Sequence, residues 1–243
     1  GEGRVMFIQG RLDLAMDRFI EAKKVADDLV TTNREDASAL YALQESHGAI
    51  GEVHKAQGSL TLAVQSFETE LAIAERLANQ SPGNSDKQRE IYSALMFLAD
   101  VEIARGKHDL ALDRLLRGQD IMERLLASDP TNAGWQGDLS VAHSKVGDVL
   151  VAQGDLDRAL EASRASFILA ERIAAQDPTN ARRQSDLAIS HLKVGDLLLA
   201  KSDFDGATAA YDAALTINER LAASDPTNTD WQRILTVSFD RGG

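Results

Sequence analysis

From Asn132 onward, apolar residues recur at steps of three and four: Trp135, Leu139, Ala142, Val146, Val149 and Leu150. That spacing lays a single apolar stripe along a helix. The stripe ends at Gly154, which can adopt the left-handed conformation that closes helices, and Asp155 follows as a cap for the next helix. Leu156, Ala159, Leu160, Phe167, Ala170 and Ile173 resume the periodicity to about Gln176, where Asp177 and Pro178 block continuation. Asn180 then stands where it can cap the orphan amides of a further helix. The pattern predicts a helical hairpin bounded by a breaking turn.

The same turn recurs along the chain. "LASDPTN" ends at Asn132, "AAQDPTN" at Asn180 and "AASDPTN" at Asn228, so Pro130, Pro178 and Pro226 lie 48 residues apart, and one more step back reaches Pro82 in "NQSPGN". A fixed period of this kind marks an array of one repeated unit. The register predicts one array across 1–243: a partial repeat over 1–32, full repeats over 36–80, 84–128, 132–176 and 180–224, and a partial repeat over 228–243. The flanking pieces are read as a second helix over 11–32 and a first helix over 228–240. Gly3 is in phase with Gly51, Gly10 with Gly58 and Gly243 with Gly195. Both ends are therefore expected to fall inside first helices, as in a segment of a longer array.

Composition narrows the class. With 44% apolar content there is ample material for a core, while four prolines, 5% aromatics and abundant Ala, Leu, Glu and Arg favour helix over strand. The expected fold class is all-α. A net charge of -12 argues against attraction to nucleic acid phosphate or an anionic membrane face, and favours basic or neutral partners. The absence of cysteine removes disulfides, thiolate metal sites and a cysteine nucleophile, and suits a reducing cytoplasm, the expected location. There is no apolar run of 18 residues and no signal-peptide pattern, so no membrane span is expected.

Candidate chemistry is sparse. His47, His143 and His191 share one repeat column with Leu95 and Phe239, and a column that accepts Leu and Phe reads as a packing site. Stacked units would also hold these imidazoles about 10 Å apart, too far to share a metal. His54 and His108 read as solitary surface residues. Asp138, Ser140 and His143 contain the letters of a nucleophilic triad without a nucleophile elbow. No phosphate-binding Gly-Lys-Ser/Thr loop or dinucleotide glycine fingerprint occurs. The expectation is a non-enzyme with no cofactor and no metal. Glu-Arg pairs at 75–76, 123–124, 171–172 and 219–220 are expected to form solvated ion pairs between stacked units, each worth little alone.

The repeated residues resemble the tetratricopeptide repeat, whose 34-residue unit carries an aromatic, Leu-Gly, a Tyr-like position, an Ala, an aromatic and a Pro. One unit here reads His143, Val146-Gly147, Leu150, Ala159, Ser163, Pro178, and the next reads His191, Val194-Gly195, Leu198, Ala207, Tyr211, Pro226. The earlier units read His47, Ile50-Gly51, His54, Ala63, Phe67, Pro82 and Leu95, Leu98-Ala99, Glu102, Ala111, Leu115, Pro130. The glycine-to-alanine spacing of 12 matches the family, and the surplus of 14 residues divides into one heptad on each helix, lengthening both by about 10 Å. The resemblance implies an α-solenoid, a superhelix of antiparallel hairpins with extended helices, of the long-helix bacterial type.

The resemblance also assigns a candidate site. The residue after the Gly/Ala position is acidic in every full unit: Glu52, Asp100, Asp148 and Asp196. In the family that position faces a concave groove that holds extended peptides. Glu90, Asp138 and Asp186 fall on nearly the same face, with Val141, Val151, Ile189 and Leu199 nearby, so the implied groove is acidic with apolar patches. The competing reading pairs Asp148 and Asp196 with Lys145 and Lys193, three residues earlier on the same helix. The lysine and asparagine that some family members use to clamp a peptide carboxylate are missing: Ser144 and Leu192 stand at the lysine position, and acids at the asparagine position. The expected function is a protein-protein interaction scaffold for cationic or amphipathic peptide or protein segments. The alternatives are a self-associating structural module, which would be a homo-oligomer, and the sensor or adaptor arm of a larger bacterial signalling protein.

Overall fold

Side-chain caps and breaking turns set the limits of each helix. The computed structural model describes residues 1–229, 231–233, 235 and 236. Among them run α1 (Glu2–Ile8), α2 (Leu12–Thr32), α3 (Ala37–Ala56), α4 (Leu60–Gln80), α5 (Ser85–Ala104), α6 (His108–Ser128), α7 (Ala133–Gln153), α8 (Leu156–Gln176), α9 (Ala181–Ala200) and α10 (Phe204–Ser224). The described residues contain no strand. Helix starts at 37, 85, 133 and 181 alternate with starts at 12, 60, 108, 156 and 204, both series stepping by 48. No helix among the described residues is long and apolar enough to cross a membrane. Phe239 and Gly243, and residues 230, 234 and 237–240 of the helix expected over 228–240, lie outside the described residues.

The first helix of each full hairpin opens on an Asp or Asn in extended conformation. Asp36 accepts from the Ser38 amide at 2.9 Å, Asn84 from Asp86 at 2.9 Å, Asn132 from Trp135 at 3.1 Å and Asn180 from Arg183 at 3.1 Å. Each cap satisfies amides that the helix itself cannot. Within the "DPTN" turns the aspartate also binds the threonine hydroxyl, Asp129 to Thr131 and Asp177 to Thr179, both at 2.8 Å. These bonds hold both carboxyls below the usual aspartate range. The turn inside each hairpin is made differently. Gly10, Gly58, Gly106 and Gly154 hold φ between 69° and 81°, a left-handed backbone that a Cβ disfavours. Ser202 occupies the next position in that series at φ 64°.

The chain forms two compact units, Gly1–Ile121 and Met122–Gly243. In unit 1, helices pack in sequence, α1 on α2, α2 on α3, α3 on α4 and α4 on α5; in unit 2, α7 packs on α8, α8 on α9 and α9 on α10. Leu40, Phe67, Leu77, Leu95 and Leu98 are fully buried in the first unit and Val149 and Leu150 in the second. Burying each such side chain contributes roughly 1.5–3 kcal/mol.

The glycine column sets how closely the helices of a hairpin approach. A methyl at Gly51 would come within 2.6 Å of the Phe67 ring, one at Gly195 within 2.5 Å of Tyr211, and one at Gly147 within 2.8 Å of the Ser163 hydroxyl. Gly3 against Phe19, at 2.8 Å, repeats the arrangement at the start of the chain. The antiparallel hairpins thus cross where the register places their glycines.

Candidate functional site

The acidic positions sit on the first helix of each hairpin, and most of them are engaged. In unit 1, Arg4 on α1 reaches Glu52 on α3 at 3.8 Å, and Lys55 on α3 reaches Asp100 on α5 at 3.4 Å. In unit 2, Lys193 on α9 donates to both oxygens of Asp148 on α7 at 2.7 and 2.8 Å, and to Ser144 at 2.7 Å. Asp196 accepts from the Tyr211 hydroxyl at 3.0 Å. The same-helix pairing of Lys193 with Asp196 is therefore corrected: the lysine bridges to the preceding first helix. Ser144 and both oxygens of Asp148 offer its ammonium three acceptors, while the Tyr211 hydroxyl takes Asp196.

Asp138 is half-buried and makes interactions of its own. Asp186 is exposed at a cavity rim, where partial burial raises its carboxyl and Arg182 opposes that shift. Val151 and Leu199 are exposed, at 45% and 47%, as are Val141 and Ile189. In unit 2 the structure thus brings Asp148, Asp186, Asp196 and these four apolar side chains to the first helices α7 and α9. Glu52 and Asp100 occupy the corresponding helices of unit 1, α3 and α5.

Two cavities open beneath the unit 2 face. One, of about 380 Å³, is lined by Ser140, Ser144, Ser163, Ser166, Ser190 and Lys193 among others; the second, of about 520 Å³, by Gly147, Val151, Leu156, Leu192 and Asp196 among others. Their origin lies in the repeat columns. Opposite the crossing glycine or alanine, other hairpins carry Phe67, Leu115 and Tyr211, all buried, whereas the third carries Ser163. The small residue leaves the space unfilled. Ser163→Phe should fill it and raise stability by about 1–2 kcal/mol. Urea unfolding of parent and variant checks this, and a lower midpoint for the variant would show that the ring finds no room.

Imidazoles at 47, 143 and 191 are half-buried, and burial lowers the pKa of all three. His191 packs on Phe167 with ring centroids 4.7 Å apart. His54 and His108 are half-buried rather than surface residues, and the Nδ1 of each is buried without a partner among the described residues. Of the residues expected to form Glu-Arg ion pairs, Arg76 pairs with Glu35 at 2.5 Å and Glu75 with Arg117. Arg220 donates to Gln184 at 2.6 Å.

Sequence reasoning missed Glu70 and Gln44. Glu70 rises from α4 in a column otherwise filled by Ala22, Gly118, Ser166 and Ala214, and a lone acid in a column of small residues was the available signal. Burial pushes its carboxyl up to about 8, with the charges of Glu52, Glu45 and Glu90 adding to the effect.

No family model matches the sequence, and no curated protein matches it. Solved structures do match in fold. BtubC (BKLC) from P. vanneervenii aligns over 95% of this chain and 89% of its own, with TM-score 0.64 and 15% identity. The kinesin light chain of P. anserina, with nearly identical TPR-like repeats, aligns over 92% and 93%, with TM-score 0.62 and 16% identity. A Rap protein complexed with Competence and Sporulation Factor aligns over 98% of this chain and 61% of its own, with TM-score 0.58 and 15% identity. The fold is a TPR-like α-solenoid whose full hairpins are built from helices of 20 or 21 residues.

Proposed function

We propose that the chain is a protein-interaction scaffold, without catalysis of its own, that binds cationic or amphipathic peptide or protein segments along the first helices of its hairpins. The observation that carries this reading is the unit 2 face. Val141, Val151 and Ile189 stand exposed with Asp148, Asp186 and Asp196 at cavities of about 380 and 520 Å³, and Leu199 is exposed on the same helix as Ile189. Exposed apolar side chains clustered over a cavity mark an interaction surface. The Rap structure in complex with Competence and Sporulation Factor supports binding as a use of this fold. Because Lys193 and Lys55 neutralise Asp148 and Asp100, the apolar residues supply most of the affinity, and the acids chiefly select for charge.

A fluorescein-labelled peptide of alternating arginine and leucine tests the reading. Its affinity should fall several-fold between 50 and 300 mM salt as screening weakens the charge attraction. Reversing Asp100, Asp148 and Asp196 to Lys together should abolish binding while the circular dichroism of the helices stays unchanged, since partly exposed ion pairs contribute only about 0–1 kcal/mol each. Equal binding by parent and triple variant would remove the acidic ladder from recognition. Unfolding of the variant would assign the ladder to structural ion pairing.

A further inference from the structure

Unit 1 holds a pocket of about 360 Å³ whose wall includes Gln44, Glu45, Gly48, Glu52, Glu70 and Glu90. Gly48 on α3 makes room for the acid on α4: a methyl there would lie 2.8 Å from the Glu70 carboxylate. Glu70 is 8% exposed and Gln44 5%, and neither Glu70 Oε2 nor Gln44 Oε1 meets a donor among the described residues. Two walled-in acceptors without donors are a rare and costly arrangement, because each has lost water and gained no partner. A donor-rich group entering the pocket would satisfy both once the two side chains turn toward it.

The surrounding charges leave Glu70 as the unmatched acid. From α3, Tyr41 donates to Glu45 at 3.2 Å, and Glu52 faces Arg4 of α1 at 3.8 Å. From α5, Lys87 holds Glu90 at 3.0 and 3.1 Å, while Asp86 and Arg89 complete the wall and Arg89 has interactions of its own. Phe97 also lines the pocket, its ring stacked on Phe67 at 5.2 Å between centroids. No group of three side chains suited to a metal ion exists among the described residues. An organic cation supplies such donors together with a charge that complements the surrounding acids.

We infer that this pocket receives one arginine side chain of a partner segment, its guanidinium donating to Glu70 and Gln44 and its face resting on Phe97. Guanidinium fits better than ammonium because its planar fork offers five donors, is weakly hydrated and stacks on aromatic rings. The inference rests on the reading that the chain binds cationic segments, and it names the anchor within that reading. Since burial and the neighbouring acids keep Glu70 protonated at neutral pH, the entering guanidinium pairs with the carboxylate while the carboxyl proton leaves to solvent. Affinity then scales with the ionised fraction, rising roughly tenfold per pH unit below about 8 and levelling above it.

N-acetylarginine N-methylamide, titrated into the 243-residue protein carrying ¹³C at the glutamate carboxyls, reads the site directly by NMR. One glutamate resonance, assigned by its loss in Glu70→Gln, should shift saturably, with a dissociation constant roughly tenfold lower at pH 9 than at pH 7. Glu70→Gln should bind weakly at every pH and Phe97→Ala should weaken binding. A Glu70 resonance that ignores the probe, a constant affinity from pH 6 to 9, or equal binding of N-acetyllysine N-methylamide would each overturn the inference. The arginine-leucine peptide separates this result from the scaffold reading. If parent and Glu70→Gln bind it equally, the arginine pocket falls and the scaffold stands; if the small probe binds and the peptide does not, the reverse holds.

Discussion

Glu70→Gln raises the unfolding free energy at pH 9 by on the order of 4 kcal/mol and leaves it unchanged below pH 4. The carboxyl titrates near 4.5 in an ordinary environment and at about 8 in the fold. A shift of this size corresponds to about 1.4 kcal/mol per pH unit across the interval between the two values. The sign follows from which state holds the proton. Above about 4.5 the unfolded chain releases it, while the folded chain keeps it until about 8, so this group favours unfolding increasingly across that window. Below the window both states are protonated, and above it both are ionised with the full penalty in place. Glutamine fills a similar volume and cannot titrate, so subtracting variant from parent isolates this residue from every other titrating group. Urea unfolding of both proteins at pH 4, 7 and 9 measures the effect. Parallel curves at all three pH values would mean that the acid is ionised and compensated in the fold.

Gly51→Leu lowers stability by about 3 kcal/mol or more, and Gly147→Leu by about 1–3 kcal/mol. The two glycines hold the same repeat position, and they differ in what they meet. Gly51 lies against the ring of Phe67, which is fully buried and itself stacked on Phe97, so no side chain there can yield without disturbing a second. Gly147 faces a serine hydroxyl beside the unit 2 cavities, into which a neighbour can shift. The difference in urea midpoint between the two variants is the measurement. Equal losses would show that the approach of the helix backbones, rather than the facing side chain, sets the cost.

Much of the helix framework was legible because its signals are local. Asn132, Gly154, Asp155 and Pro178 each act on backbone within a few residues, so the limits of α7 and α8 could be read directly from the chain. The crossing glycines were legible from their spacing to the following alanine. Ion pairing was not: the partners Lys193 and Asp148, or Lys55 and Asp100, lie 45 residues apart, and only the docking of consecutive first helices brings them together. Glu70 was hidden for a related reason, since its environment depends on a glycine 22 residues earlier on the facing helix.

That glycine belongs to a wider exchange of size between facing helices. On α3 and α4 the facing residues are Gly48 and Glu70, and on α5 and α6 they are Met96 and Gly118, where a methyl on the glycine would lie 2.7 Å from the methionine tip. Near-identical hairpins run a danger that unlike sequences avoid, because a helix can dock on the right kind of surface in the wrong copy. Here a hairpin wrongly made from α3 and α6 would set Gly48 against Gly118 and leave a void. The alternating bulk therefore works as an address in these two hairpins: α3 and α5 each carry a shape that matches their own second helix, which favours folding with the two hairpins in order.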